Sequence, residues 1–192
     1  MRALIVHAHP DPRSFSAHLV ATVQDALSAA GHEHRTIDLY ARGFRAAMSG
    51  DEWSLHRRTA EVKPWTDPHS EMLRWADSIV WVYPTWWSGP PAILKGWVDR
   101  VWTNGVAYHH TDQGLIPGPL THIGRMFIVT THGSSRWVNF AEGDVGRKMI
   151  RRTLRSLCGW RCRTRWLAMY DVDRSTLEQR RQFVERVRRS IT

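Results

Sequence analysis

Two adjacent tryptophans, Trp86 and Trp87, stand in the segment where chemistry is easiest to read, Tyr83 to Trp102 (YPTWWSGPPAILKGWVDRVW). The apolar, β-rich run from Ser78 to Val82 before them reads as a buried strand. Pro84, Gly89, Pro90 and Pro91 then turn the chain into a helix, whose first turn tolerates proline. The loop Pro84-Thr85-Trp86-Trp87 therefore lies at the carboxyl end of a strand, the edge at which open α/β sheets bind ligands. A flat, apolar ligand gives two neighbouring indoles a use that simple exposure does not.

Two further segments carry donors of the kind a charged or polar ligand needs. His9-Pro10-Asp11-Pro12-Arg13-Ser14-Phe15-Ser16 links a first strand to a helix, at whose amino terminus free backbone N–H groups and the helix dipole favour an anion. Ser14 and Ser16 can each cap that helix or donate to a phosphate, and His9 and Arg13 add further donors. Taken on its own residues, the segment is an ordinary helix cap. Thr130-Thr131-His132-Gly133-Ser134 follows another apolar strand and offers hydroxyls and a glycine turn. His132 and Arg136 beside it are groups able to stabilise developing negative charge.

These segments need elements that bring them together. Apolar periodicity predicts five strands, over 3–8, 34–39, 78–83, 125–131 and 162–169. Helices are expected over 15–30 (stopped by Gly31), 69–76, 91–101 and 144–157, and in the carboxyl-terminal stretch with Leu177, Phe183, Val184, Val187 and Ile191 on one face. Residues 40–68 read as irregular with one or two helical turns, and 103–122 as a long connection rich in Gly, Pro and His. Alternating strands and helices argue for an α/β fold: a three-layer sandwich with a five-stranded parallel sheet in the flavodoxin-like order 2-1-3-4-5 and helices on both faces. That order gathers the loops after strands one, three and four at one edge. No repeat or linker divides the chain, so 1–192 is expected to be a single domain.

Over these three loops the sequence resembles the flavodoxin-like NAD(P)H:quinone reductases, which carry a tryptophan–aromatic pair followed by a Pro-Ala-x-Leu-Lys-Gly-Trp run, here Pro91 to Trp97. The resemblance implies a flavin-binding domain. It carries phosphate or pyrophosphate binding to His9, Phe15 and Ser16, and contact with the ring to Pro84, Thr85, Trp86, Trp87, Thr131, His132 and Gly133. His132 and Arg136 become candidates for stabilising the reduced flavin. Tyr108, in Val106-Ala107-Tyr108-His109-His110, resembles the aromatic turn that reaches the active site of an adjacent subunit, and is a candidate for lining the acceptor pocket; without the resemblance it is an ordinary polar loop. The mammalian-type pattern Thr-Thr-Gly-Gly-Ser, followed by a tyrosine and a histidine, is not matched. His132 replaces the first glycine, Trp137 or Val138 falls near the tyrosine's place, and no histidine occurs in 138–160.

The implied activity is NAD(P)H-dependent oxidoreduction, with hydride passed through the bound flavin to a quinone or a similar flat aromatic acceptor. FMN and FAD both suit the pattern, with the short chain favouring FMN. A homodimer is implied by the family, and Trp97 and Trp102 are candidates for its interface. The connection over 103–122 resembles shorter bacterial members, among them ancillary subunits of potassium-efflux systems, so a flavin-bearing regulatory subunit of a transporter is the alternative. An electron-carrying flavodoxin suits a basic chain with His and Pro in the first loop less well.

The net charge of +9 comes almost wholly from arginine, lysine standing only at Lys63, Lys95 and Lys148. No nucleic-acid-binding motif accompanies the arginines scattered over 147–165 and 180–189, and the latter set reads as the outer face of a helix whose opposite side is apolar. Cys158 and Cys162 suit a reducing compartment and a structural role; their spacing makes a poor metal site, and no metal is expected. Met1 to Val6 reads as a first strand rather than a signal peptide or a membrane span, giving the expectation of a cytoplasmic protein that is not itself integral to a membrane.

Overall fold

The computed structural model describes residues 1–56, 67–111 and 113–191. Five strands, β1 (Arg2–His7), β2 (Glu33–Asp38), β3 (Ser78–Pro84), β6 (Arg125–Thr131) and β7 (Arg163–Met169), pair in parallel in the order β2-β1-β3-β6-β7. This is the expected 2-1-3-4-5 arrangement, because β4 (Tyr108–Thr111) and β5 (Gly114–Pro117) form a separate antiparallel hairpin. That hairpin lies in the connection over 103–122, where a glycine- and histidine-rich composition gave no strand signal.

Side chains alternate across a strand, so each central strand feeds two cores. Leu4, Val6, Ile79, Trp81, Met126 and Ile128 face one layer. It holds α3 (Asp67–Trp75), α4 (Ala92–Val101) and the helical stretch after β6. Ile5, Val80, Val82, Phe127 and Val129 face the other, built by α1 (Phe15–Ala29) and α8 (Leu177–Ile191). Edge strands β2 and β7 alternate exposed and covered residues, as half-buried edges do.

Between β6 and β7 the chain forms α5 (Arg136–Ala141), α6 (Val145–Lys148), a π-helical stretch Met149–Leu154 and α7 (Arg155–Leu157). The helix expected over 144–157 is thus interrupted by a wide turn, and α5, short and largely exposed, carries no long apolar stripe to announce it. Of the stretch expected to be irregular over 40–68, Gly50–His56 is helical (α2), and 57–66, with Lys63 and Pro64, lie outside the described residues.

Trp97 and Trp102 are not interface residues; both are buried in the chain's own core, their rings 5.7 and 5.9 Å from that of Trp81. A helix face that packs on a covered sheet has no surface left for a second subunit. Trp97 Nε1–H donates to Nδ1 of buried His69 at 3.2 Å. Burial, aided by Arg42 and Arg100, lowers the His69 pKa from 6.5 to about 4. The unfolded chain then takes up this proton first, so stability is full above about pH 6.5 and falls as the pH drops to about 4. The expected loss is about 3 kcal/mol. Urea midpoints at pH 7.5 and 4.5 check this: His69→Gln should lose less on acidification than the wild type.

Both α2 and the segment before it are pinned to α4. Arg100 pairs with Glu52 at 2.7 Å, both buried, and donates to the Arg45 carbonyl. A Cβ on Gly96 would run into the Ala46 backbone, so this crossing requires glycine. Lys95 and Asp99 pair on the exposed side at 2.6 Å, as their spacing predicts.

Candidate functional site

Parallel register brings His7, Pro84, Thr131 and Met169 to one sheet edge, with Val82 opposite His7, Thr131 opposite Pro84 and Met169 opposite Thr131. The loops after β1, β3, β6 and β7 meet there. In the first, the Ser14 hydroxyl accepts from the Ala17 N–H at 3.2 Å and is the helix cap. Ser16, in the first turn of α1, is thereby left free of capping and lines a cavity of about 400 Å³. His9 also lines it; its Nδ1 receives the Asp11 N–H at 3.0 Å, and its ring meets Trp86 edge-on at 6.4 Å. Arg13 stays outside, extended into solvent beside Asp11 at 3.4 Å. The Arg13 backbone N–H, donating to the Asp11 carboxylate at 2.8 Å, and the Arg13 guanidinium draw that carboxyl below the usual carboxylate range.

The second loop is a tight turn in which Trp86 and Gly89 exchange N–H···O bonds of 2.9 and 3.0 Å. Its two central residues, Trp87 (φ 48°) and Ser88 (φ 60°), both lie in the left-handed region, as a type I′ turn requires. Asparagine and glycine suit that turn; a tryptophan there costs about 1–2 kcal/mol. The strain is held by neighbours: the Ser88 carbonyl accepts the Gly146 N–H at 2.9 Å, and the Ser88 hydroxyl donates to Glu142. Trp87 is held clear of the protein, 103% exposed, and Trp86 is 42% exposed. Backbone strain of this kind persists only where the surrounding structure holds it, and it clusters at functional sites.

A second cavity of about 450 Å³ is bounded by Trp86, Trp87, Ser88, Ser134 and Glu142. It shares Thr85, Trp86 and Gly133 with the first, so the two form one groove along the sheet edge.

The structure thus brings together His9, Phe15, Ser16, Pro84, Thr85, Trp86, Thr131 and Gly133 on the first cavity and Trp87 on the second. His132 is set behind them. Its ring is buried, stacked on Tyr170 at 4.5 Å, and borders neither cavity. Asn139 donates its amide hydrogens to Ser134 Oγ (2.8 Å) and the Ser135 carbonyl (2.9 Å), which turns its oxygen toward His132 Nδ1 at 2.7 Å. Nδ1 therefore carries the proton, and Nε2 faces the Thr85 hydroxyl at 3.4 Å, which in turn meets Thr130 at 2.9 Å. This chain clamps the second loop to the third. Burial holds the His132 pKa below its ordinary value, partly offset by the Asn139 bond. Arg136 and Trp137 are exposed on α5, and Arg136 borders neither cavity. Tyr108 packs against the core on β4, where burial raises its phenol above the usual range, and it too borders neither.

Sequence reasoning missed the fourth loop. Val172, Asp173 and Arg180 complete the first cavity. The loop after β7 is drawn in by Val172 N–H to His132 O (3.0 Å) and Asp171 N–H to Ser134 O (3.2 Å). Asp173 comes so near that a Cβ on Gly133 would stand 2.9 Å from its carboxylate. Arg180, instead of an outer-face residue, is bonded to Ser175 (2.8 Å) and Val172 (3.1 Å), with its guanidinium 5.8 Å from the Phe15 ring centre. The signal was available: a strand beside β6 in a parallel sheet ends at the same edge. Among the described residues no group of His, Cys, Asp or Glu could hold a metal, and no helix is long and apolar enough to cross a membrane.

A family model described as flavodoxin-like fold matches residues 1–191. The ribosyldihydronicotinamide dehydrogenase-like protein traD of Penicillium crustosum is 32% identical over 155 residues, covering 69% of this chain and 58% of that protein. NAD(P)H dehydrogenase [quinone] 1 of Rattus norvegicus is 32% identical over 149 residues, covering 69% of this chain and 54% of that protein. The matches thus span little more than half the length of these curated relatives. Among solved structures, the NAD(P)H:quinone oxidoreductase of Methanothermobacter marburgensis superimposes with a TM-score of 0.82 at 28% identity, covering 100% of this chain and 94% of that one.

Proposed function

Because the chain belongs to the family described as flavodoxin-like fold, we propose that it is an NAD(P)H-dependent flavoprotein oxidoreductase acting on a quinone or another flat aromatic acceptor. The observation that carries this reading is the groove itself, with anion-seeking groups at one end and two indoles at the other. The residues fit a flavin. The first-turn amides of α1, the Ser16 hydroxyl, His9 and Arg180 suit a phosphate, and Phe15 and Val172 suit its ribityl chain. The Trp87 and Ser88 N–H groups, which the turn does not use, and those of Gly133 and Ser134 suit the polar edge of the ring, and Trp86 its apolar face. Asp173, an acid lining the same cavity as Arg180, disfavours a second phosphate, which supports FMN over FAD.

The bound flavin supplies the hydride chemistry. The chain orients the ring, excludes water with its indoles, and holds Thr85 in place through the His132–Asn139 clamp. His132 acts on the ring only through Thr85, and Trp87 offers a surface on which donor or acceptor stacks. One curated relative is named for its likeness to a ribosyldihydronicotinamide dehydrogenase and the other is named an NAD(P)H dehydrogenase [quinone], so the names point to more than one donor. The same reading takes the whole chain as one cytosolic flavin-binding domain that forms homodimers, with Tyr108 reaching the site of the second subunit.

The test is the visible spectrum of the purified protein before and after anaerobic NADPH, then after a quinone. A yellow protein that bleaches and is promptly reoxidised, releasing FMN on heating, is the expected result. A colourless protein that consumes no NADPH above background with added FMN or FAD would overturn the reading.

A further inference from the structure

Beside the groove lies a cleft of about 540 Å³ whose walls carry five cations, Arg147, Lys148, Arg151, Arg152 and Arg155, and one acid, Asp144. The cations sit on consecutive turns of the helical stretch that runs along edge strand β7, and the π-helical stretch Met149–Leu154 widens the turn that carries the middle of the set. Like charges on successive turns destabilise a helix. Here one carboxylate answers five cations, and Asp144 reaches only Arg147, at 3.4 Å. Arg155 is spent on the Cys162 and Trp160 carbonyls at 2.7 and 2.8 Å. Arg151 spends its Nε on Thr164 at 3.1 Å, leaving the two terminal nitrogens of its guanidinium. Lys148 and Arg152 are exposed and make no hydrogen bond or ion pair among the described residues. Such a concentration of positive charge is relieved by a bound polyanion.

Its position says which one. The cleft begins two residues beyond Glu142, a wall of the indole end of the groove, and Gly146 N–H holds the tryptophan turn through the Ser88 carbonyl. From Arg147 to Arg155 the strip extends about 12 Å at the rise of a helix. The α8 arginines lie on the opposite layer of the sandwich, so the positive charge does not gather into one continuous face of the kind a nucleic acid needs.

We infer that this cleft receives the adenylate half of the reduced dinucleotide, its cations taking the diphosphate and the 2′-phosphate, so that the protein selects NADPH over NADH and over nicotinamide donors that lack phosphate. This rests on the flavin reading of the groove, and the experiment separates the two. Calorimetry with 2′,5′-ADP should show binding to the wild-type protein and none with adenosine. Lys148→Gln/Arg152→Gln, which touches no internal contact, should weaken 2′,5′-ADP by about tenfold or more with thermal unfolding unchanged. The KM for NADPH should rise by a similar factor in the variant, while that for N-benzyl-dihydronicotinamide stays the same. Equal affinity of wild type and variant for 2′,5′-ADP would overturn the inference, as would capture of duplex DNA by a wild-type protein that ignores 2′,5′-ADP. Failure of N-benzyl-dihydronicotinamide to bleach the wild-type protein would instead sink the flavin reading, and the calorimetric comparison would still decide the cleft.

Discussion

Ser16→Asp is expected to weaken flavin binding by about a hundredfold or more, the sum of a lost charge-assisted hydrogen bond and a new like-charge repulsion at the phosphate. The expectation rests on a division of labour between two serines. Ser14 is consumed by the Ala17 N–H, whereas Ser16 is buried at the cavity wall. An aspartate in the first turn of a helix favours that helix, so helix propensity works against a trivial loss of folding. Fluorescence titration of the flavin-stripped protein with FMN measures the change, and circular dichroism reports the fold. Ser14→Ala is the contrast: it should cost about 1 kcal/mol of stability and leave FMN affinity nearly intact. Equal FMN affinity in Ser16→Asp and wild type would remove Ser16 from the phosphate site.

Arg100→Ala carries the largest expected cost to the fold, about 3–5 kcal/mol, because it strands the buried Glu52 carboxylate without a partner. It also removes the donor to the Arg45 carbonyl and the cation 5.0 Å from the Phe44 ring centre, releasing the segment that crosses Gly96. Since α4 follows directly on the tryptophan loop, the loosened packing should reach the site as weaker flavin retention. Urea unfolding measures the loss. The double variant Arg100→Met/Glu52→Leu is expected to recover most of it, since an apolar pair carries no desolvation penalty. A single variant as stable as the wild type would show that the pair is not a stabilising clasp.

The fold was largely legible because its signals are local. Strands such as Ser78–Pro84 are mostly apolar, Phe15–Ala29 repeats its apolar residues at helical spacing, and proline and glycine mark the turns. Parallel strands joined by helices leave few topologies, and the topology then places the loops. The paired strands Tyr108–Thr111 and Gly114–Pro117 and the helix Arg136–Ala141 escaped for the same reason in reverse. Each is short, and its stability comes from what it lies against, not from its own pattern.

At the candidate site the sequence by itself determined that three loops face one another and which residue types they carry: an anion-seeking helix start, two indoles and a hydroxyl-rich turn. Tertiary structure alone decided where each side chain points. His132 and Trp87 both occupy loops at the sheet edge, yet one is folded under Thr85 and the other is thrust into solvent by a left-handed turn. Trp97 and Trp102 look like surface aromatics until Trp81 is found beneath them. Arg180 and Asp173, more than a hundred and fifty residues from His9, complete the cavity that His9 begins. Composition and periodicity record how a residue sits on its own element. Exposure, hydrogen-bond partner and charge environment depend on what distant elements pack against it, and only the folded chain holds that information.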